Sequence, residues 1–296
     1  VLAFTLPGIP FTGGGQEPGE VWGQAQQARE NGQTGRALKL YSLIAKKWPA
    51  SPYAARAQQF RADLLREQGK KRRAREEYVE LLREYGNQIS TENALQSLFE
   101  LATDAGNRRR FNWVFGGFKT PEAALPALEA ILKYGPNWDR APEAQFMIGK
   151  IHEGQNKPEE AIAAYAKTEY RYPRSEYAEK AAYRRVHTLV NLSRETPYSS
   201  GLREKALTAC RMFVETYPQS GHADEVRELR AELTEARAEA LYERAVFYDK
   251  ISHQPDSALI YYRRLLDEFP NLERAEDARK RIAELEADDD KPETPQ

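Results

Sequence analysis

The 296 residues carry 44 basic and 45 acidic side chains for a formal net charge of -1, so no global field is available to hold a polyanion, and nucleic acid is excluded as a main partner. With 41% apolar and 30% charged residues the chain reads as soluble and helix-rich, and no apolar run reaches the roughly 20 residues of a membrane span. A single cysteine rules out an internal disulfide framework and leaves the redox compartment open.

Residues 1–19 hold LPGIP, TGGG and EPG, a composition that cannot sustain a helix and that lacks the positive start of an intact secretory signal. They are expected to form a flexible leader or the remnant after processing, with Leu2, Phe4, Leu6, Ile9 and Phe11 available to dock on the first repeat.

From residue 20 a repeat takes over. Its clearest copy runs from Ala144 to Ala178, where Gly149, Ala161, Tyr165 and Pro173 fall at the small, small, aromatic and proline spacing of a tetratricopeptide unit. Two antiparallel helices approach closely only where side chains are small, so Gly149 and Ala161 mark a helix contact. Tyr165, one turn beyond Ala161, is expected to fill the space between this pair and its neighbour. Pro173 closes the second helix, and Ser175 is a candidate N-cap for the next.

The same offsets recur at Ala37, Tyr41 and Pro49; at Ala74, Tyr78 and Gly86; at Ala206, Cys210 and Pro218; and at Ala258, Tyr262 and Pro270. Ala123, Ala127 and Gly135 make a weaker copy. The offsets imply an all-α fold, a tetratricopeptide-repeat superhelix (an α-solenoid) of about six helix pairs over residues 20–286.

In chain order the first pair occupies about Glu20 to Pro49, with Asn31-Gly32 as its turn, and the second Ser51 to Gly86, with the charge run Lys70 to Arg73 at its turn. The third has a first helix over about Thr91 to Ala105, and then the insertion NRRRFNWVFGGFKTP. In it Arg108, Arg109 and Arg110 precede Phe111, Trp113, Phe115 and Phe118. This stretch reads either as a packed extension of the first helix or as a binding edge with Arg and aromatic anchors.

The fifth pair begins at Ser175, runs to about Ser193 and resumes at Leu202 after RETPYSSG. A long helix is expected over Ala223 to Lys250, its first half readable as a separate capping or bridging segment, with a partner over Pro255 to Phe269. A last helix, Glu273 to Glu286, places Ala275, Ala278, Ile282 and Leu285 on one face and is expected to cap the open end. Residues 287–296 form an acidic tail expected to be disordered.

No residue set marks catalysis, a cofactor or a metal. Cys210 stands in the register of Tyr41, Tyr78, Tyr165 and Tyr262 and therefore reads as a packed core thiol. His152-Glu153 begins a zinc-protease motif, but Asn156 stands where its second histidine is required. The remaining histidines, His187, His222 and His253, lack ligand spacing, and no nucleophile elbow, P-loop or dinucleotide fingerprint is present.

What remains is surface. By register from Ala25, Ala62 and Gly149, the first helices present Trp22, Gln26 and Arg29; Arg56, Gln59, Asp63 and Arg66; and Phe146, Lys150 and Glu153 toward the concave side. With Arg109 and Trp113 of the insertion, these are the candidate partner-binding residues, rich in the types that anchor interfaces. Such a groove suits an extended peptide.

The junctions Tyr172 to Ala178 and Tyr217 to Ala223, of the form Y-P-x-S-x-(Tyr/His)-A, resemble those of the outer-membrane protein assembly lipoprotein BamD family. The segment Ala238 to Pro270 resembles that family's late repeat more closely still. The resemblance implies a periplasmic, outer-membrane-associated scaffold, held at the membrane only through a lipid anchor or a partner. Its implied partners are a BamA-like barrel insertase and unfolded β-barrel precursors. The family's lipidated cysteine has no counterpart before Cys210, so either the chain is trimmed or the anchor is absent. A Tol- or peptidoglycan-associated coordinator of the CpoB type, or a cytosolic tetratricopeptide adaptor, is the alternative.

Overall fold

The computed structural model describes residues 17–107, 109–112, 116–119, 121–197 and 199–289. Residues 1–16 of the expected leader and 290–296 of the expected tail lie outside the described residues, and so does the expected docking of Leu2, Phe4, Leu6, Ile9 and Phe11, while Pro18 and Gly19, expected to stay non-helical, already belong to the first helix, which proline at its first position permits. Among the described residues there are thirteen α-helices, and no helix is long and apolar enough to cross a membrane. The chain divides into two compact units inside a single helix, between Ile148 and Gly149.

The first unit contains α1 (Pro18–Glu30), α2 (Thr34–Lys47), α3 (Ala54–Glu67), α4 (Lys71–Tyr85), α5 (Thr91–Asn107), α6 (Leu125–Tyr134) and the start of α7 (Ala141–Gly154). Helices adjacent in sequence pack on one another, which is the architecture of stacked repeat pairs. The turns reflect backbone requirements: Gly32 and Gly69 sit at φ +68° and +70°, where a side chain would be strained. The small positions are buried as the repeat demands, with Ala25, Ala37, Ala62 and Ala74 all inaccessible and Tyr41 and Tyr78 packed beside them.

The insertion of the third pair is not an extension of the first helix. Arg109–Asn112 and Gly116–Lys119 form an antiparallel hairpin, β1 and β2, with Arg110 opposite Phe118. Gly116 and Gly117 and the alternation of aromatic residues favour extended backbone over helix. A short 3₁₀ turn, Pro121–Ala124, leads back into α6.

The second unit holds the rest of α7, α8 (Pro158–Arg171), α9 (Glu176–Glu195), α10 (Ser200–Thr216), α11 (Ala223–Val246), α12 (Pro255–Glu268) and α13 (Glu273–Asp289). Ala161 and Tyr165 are fully buried, and Tyr165 meets Gly149. The Tyr165 ring lies on Gly149 of its own pair, so that a Cβ built there would fall 2.5 Å from Tyr165 Cδ1 and 3.0 Å from Cζ. Ser175 stands at the N-cap of α9 in extended conformation, but its hydroxyl donates to the Tyr172 carbonyl at 2.9 Å and leaves the helix uncapped by a side chain.

The long helix is continuous and bridges two cores. Val226 and Leu233 in its first half pack with Val186, Val190, Cys210 and Phe213 of α9 and α10. Leu241 and Ala245 in its second half pack with Tyr262, Leu265, Ala275 and Ala278 of α12 and α13. It ends in a π-helical turn, Phe247–Ile251. Helix α13 closes the array as expected and runs to Asp289, three residues beyond its expected end.

Candidate partner-docking site

The register positions of the first unit are largely engaged within the chain. Trp22 is half-buried among Tyr41, Tyr53 and Phe60, with ring centroids 5.7, 5.6 and 5.7 Å away. Arg29 lies 4.4 Å above the Phe60 ring. Asp63 accepts the Tyr78 hydroxyl, and Arg66 pairs with Glu100 of α5 at 2.9 Å. Gln26, Gln59 and Phe146 are half-buried, whereas Arg56, and Lys150 in the second unit, are exposed and make no ion pair among the described residues. Arg109 contributes backbone to β1, and Trp113 lies outside the described residues.

The second unit adds a device that the repeat offsets do not reveal. The buried tyrosine of the second helix donates its hydroxyl to a carboxylate on the first, and an arginine from the next first helix completes the site. Tyr165 donates to Glu153, which Arg184 of α9 meets at 3.2 Å. Tyr262 donates to Asp249 at 3.4 Å, and Arg281 of α13 grips both Asp249 oxygens at 2.7 and 2.8 Å.

Burial first, and then the neighbouring carboxylate, pushes both tyrosine hydroxyls up, Tyr262 to about 12, while the Arg281 guanidinium holds the Asp249 carboxyl below the usual carboxylate range. Glu153 precedes its tyrosine by 12 residues and Asp249 by 13. The π-turn supplies the additional residue, so that Ala245 takes the place of Gly149 and Asp249 still faces Tyr262.

An open groove lies where the start of α10, the second half of α11 and α12 meet. Two cavities of about 360 and 560 Å³ share Ser200, Arg203, Ala240 and Arg244 in their walls. At one end Arg237 is held by Glu204 and Glu268, each at 2.6 Å, and Arg264 meets the same Glu268 at 2.7 Å. At the other end Tyr248 and Tyr261 stack in parallel, centroids 5.3 Å apart, beside Phe247, which is 47% exposed.

Between them, Arg203 donates to the Pro197 carbonyl at 2.7 Å and Arg244 sits 5.6 Å from the centre of the Tyr261 ring. Neither is paired with a carboxylate among the described residues. Arg203 and Tyr261 are 58 residues apart, and only the packing of α10, α11 and α12 brings them to one place; no local motif announces it.

Among the described residues no group of three or more His, Cys, Asp or Glu is arranged to hold a metal. Cys210 lies fully buried away from the groove, its thiol pushed up to about 11 by burial. The chemistry on offer is charge-assisted hydrogen bonding and ring contact, which is recognition.

The model of a family described as YfiO, outer membrane lipoprotein, matches residues 139–288, half of the chain and all of the groove. No curated protein matches the chain. Among solved structures, a tetratricopeptide repeat protein from Parabacteroides merdae is 16% identical over 90% of this chain and 98% of its own, with a TM-score of 0.30. MamA, from residue 41 to its end, from Desulfovibrio magneticus is 16% identical over 69% of this chain and 95% of its own, with a TM-score of 0.29. The C-terminal part of a repeat protein from Cytophaga hutchinsonii is 16% identical over 87% and 98%, at 0.28. At such scores the fold rests on the helix pairs and their register rather than on these neighbours. Helix pairs in tetratricopeptide register and a family match that spans the second unit lead to one assignment: the chain belongs to the YfiO (BamD) family of outer membrane lipoproteins.

Proposed function

We propose that the chain is a non-catalytic scaffold of outer-membrane protein assembly. It works at the periplasmic face of that membrane, docks a BamA-like barrel insertase and receives unfolded β-barrel precursors. The observation that carries this reading is the open Arg and aromatic groove inside the family-matched residues, a surface equipped to hold a polypeptide and for no evident chemistry. The exposed Arg56 and Lys150, together with Trp22, Gln26, Arg29, Gln59, Asp63, Arg66, Phe146, Arg109 and Trp113, are the further positions at which a partner would be met.

Photo-crosslinking in living cells tests this. A crosslinking residue at Arg203 or Arg244 is expected to capture the barrel insertase or a precursor, identified by mass spectrometry, and one at the exposed Arg72 in the first turn of α4 to capture neither. Equal capture from Arg72 and from the groove, or no envelope protein from any position, would refute the proposal.

A further inference from the structure

We infer that the groove of the second unit takes an extended acidic peptide, its carboxylates on Arg203 and Arg244 and an apolar or aromatic side chain against the Phe247, Tyr248 and Tyr261 rings. The inference rests on reading the groove as a docking site, and it specifies the chemistry of what docks. Four guanidinium groups line the two cavities against two carboxylates, Glu204 and Glu243, and Glu268 pairs with two of the four, which leaves one basic group in excess although the whole chain carries a net charge of -1. The excess is therefore local.

Arg237 and Arg264 are satisfied within the chain by Glu204 and Glu268, which fixes them as walls. Arg203 and Arg244 are not: one spends a guanidinium on a neutral carbonyl, the other on a ring face. A carboxylate is the ligand that a guanidinium fork binds in bidentate fashion and with the greatest gain.

The start of α10 reinforces the sign. Ser199 Oγ accepts from the Leu202 amide at 3.4 Å, and the Ser200 and Gly201 amides, at the positive end of a helix of 17 residues, have no partner within the helix. A Cβ built on Gly201 meets nothing within 4 Å, so the approach there is clear. The rings at the opposite end supply a second, apolar point of contact. Alternating acidic and apolar side chains on an extended backbone satisfy both ends at once. A bilayer does not fit as well, because a flat surface reaches the rim of a cleft between three helices and not the arginines in its walls.

The test is fluorescence anisotropy of the purified chain with a labelled peptide of alternating Glu and Phe, beside one of alternating Gln and Phe and one of alternating Glu and Ser. The Glu-Phe peptide is expected to bind at least tenfold more tightly than either of the others. Arg203→Gln and Arg244→Gln are each expected to weaken it about tenfold, the loss of one charge-assisted contact at a solvent-accessible site, with Arg203→Lys, which keeps the charge but not the fork, falling between the parent and Arg203→Gln. Circular dichroism checks that the variants fold. Gly201→Trp, which leaves every arginine in place, is expected to block binding by occupying the cleft.

Equal binding of the Gln-Phe peptide, or wild-type affinity in both Arg→Gln variants, would overturn the inference. So would complete displacement of the Glu-Phe peptide by vesicles of phosphatidylcholine and phosphatidylglycerol, which would assign the groove to membrane instead. If groove positions still crosslink the insertase in cells while the acidic preference is missing, the docking reading stands and only the ligand chemistry falls. If both fail, both are wrong.

Discussion

Replacing Gly149 by alanine tests the packing rule of these repeats most sharply, because the rule predicts the sign opposite to that expected from helix propensity. In a free helix the change gains about 1 kcal/mol. Here the new methyl group would stand 2.5 Å from Tyr165 Cδ1 and 3.0 Å from Cζ, closer than real Cβ atoms approach. The ring cannot retreat easily, since it is fully buried and its hydroxyl is tied to Glu153. Overpacking of this kind costs about 3 kcal/mol, which leaves a net loss of about 2 kcal/mol after the propensity gain. For a cooperative unit of this size the melting transition falls by about 4 to 8 °C. Gly23→Ala is the internal control: it sits within α1 with nothing inside 4 Å of an added Cβ, and should gain close to the full 1 kcal/mol. Both are read by thermal and urea unfolding monitored by circular dichroism. A Gly149→Ala variant as stable as the parent would refute the reasoning.

The same packing makes further changes predictable. Tyr165→Ala removes a ring with no exposed surface and should cost about 3 to 5 kcal/mol, measured by urea unfolding; a change below about 1 kcal/mol would mean that the ring is not packed. Arg281→Gln leaves the buried Asp249 carboxylate with only the Lys250 ammonium and the Tyr262 hydroxyl, each at 3.4 Å, and should cost about 2 to 3 kcal/mol at neutral pH. Because Asp249 is held below its ordinary range in the folded chain, the pair's contribution is present in full above the unfolded carboxylate value of about 4 and is lost as pH falls through the folded value. The stability gap between parent and variant should therefore narrow below about pH 4, and a gap constant down to pH 2 would contradict the pairing. Cys210, buried and raised to about 11, should resist iodoacetamide at pH 8 until urea unfolds the second unit; rapid labelling of the native chain would place the thiol at the surface.

The parts of this fold that could be read from sequence are those decided within one helix pair. Gly149 and Tyr165 lie 16 residues apart, and the contact between them is forced by side-chain size, so spacing alone places it. Cys210 was placeable for the same reason, as a small apolar group standing in for a ring. Features that depend on two pairs were not legible. Trp22 reads as an exposed anchor until Tyr53 and Phe60 of the next pair close over it, and Arg66 until Glu100 of α5 reaches it. The groove draws Arg203, Arg244 and Tyr261 from three helices, and its aromatic end lies at a π-turn that the repeat offsets, intact at Ala258, Tyr262 and Pro270, do not announce. The hairpin at Arg109–Lys119 was missed because an insertion has no counterpart in the repeat to set its register.

The central claim is that the second unit's groove holds a protein partner, and isothermal titration of the purified chain with the soluble periplasmic domain of a BamA-like insertase tests it most directly. The account predicts saturable binding that Arg203→Glu with Arg244→Glu weakens at least a hundredfold, about 2.8 kcal/mol, and that Arg72→Glu leaves unchanged. Binding that is absent in the parent, or that survives the groove substitutions intact, would contradict it.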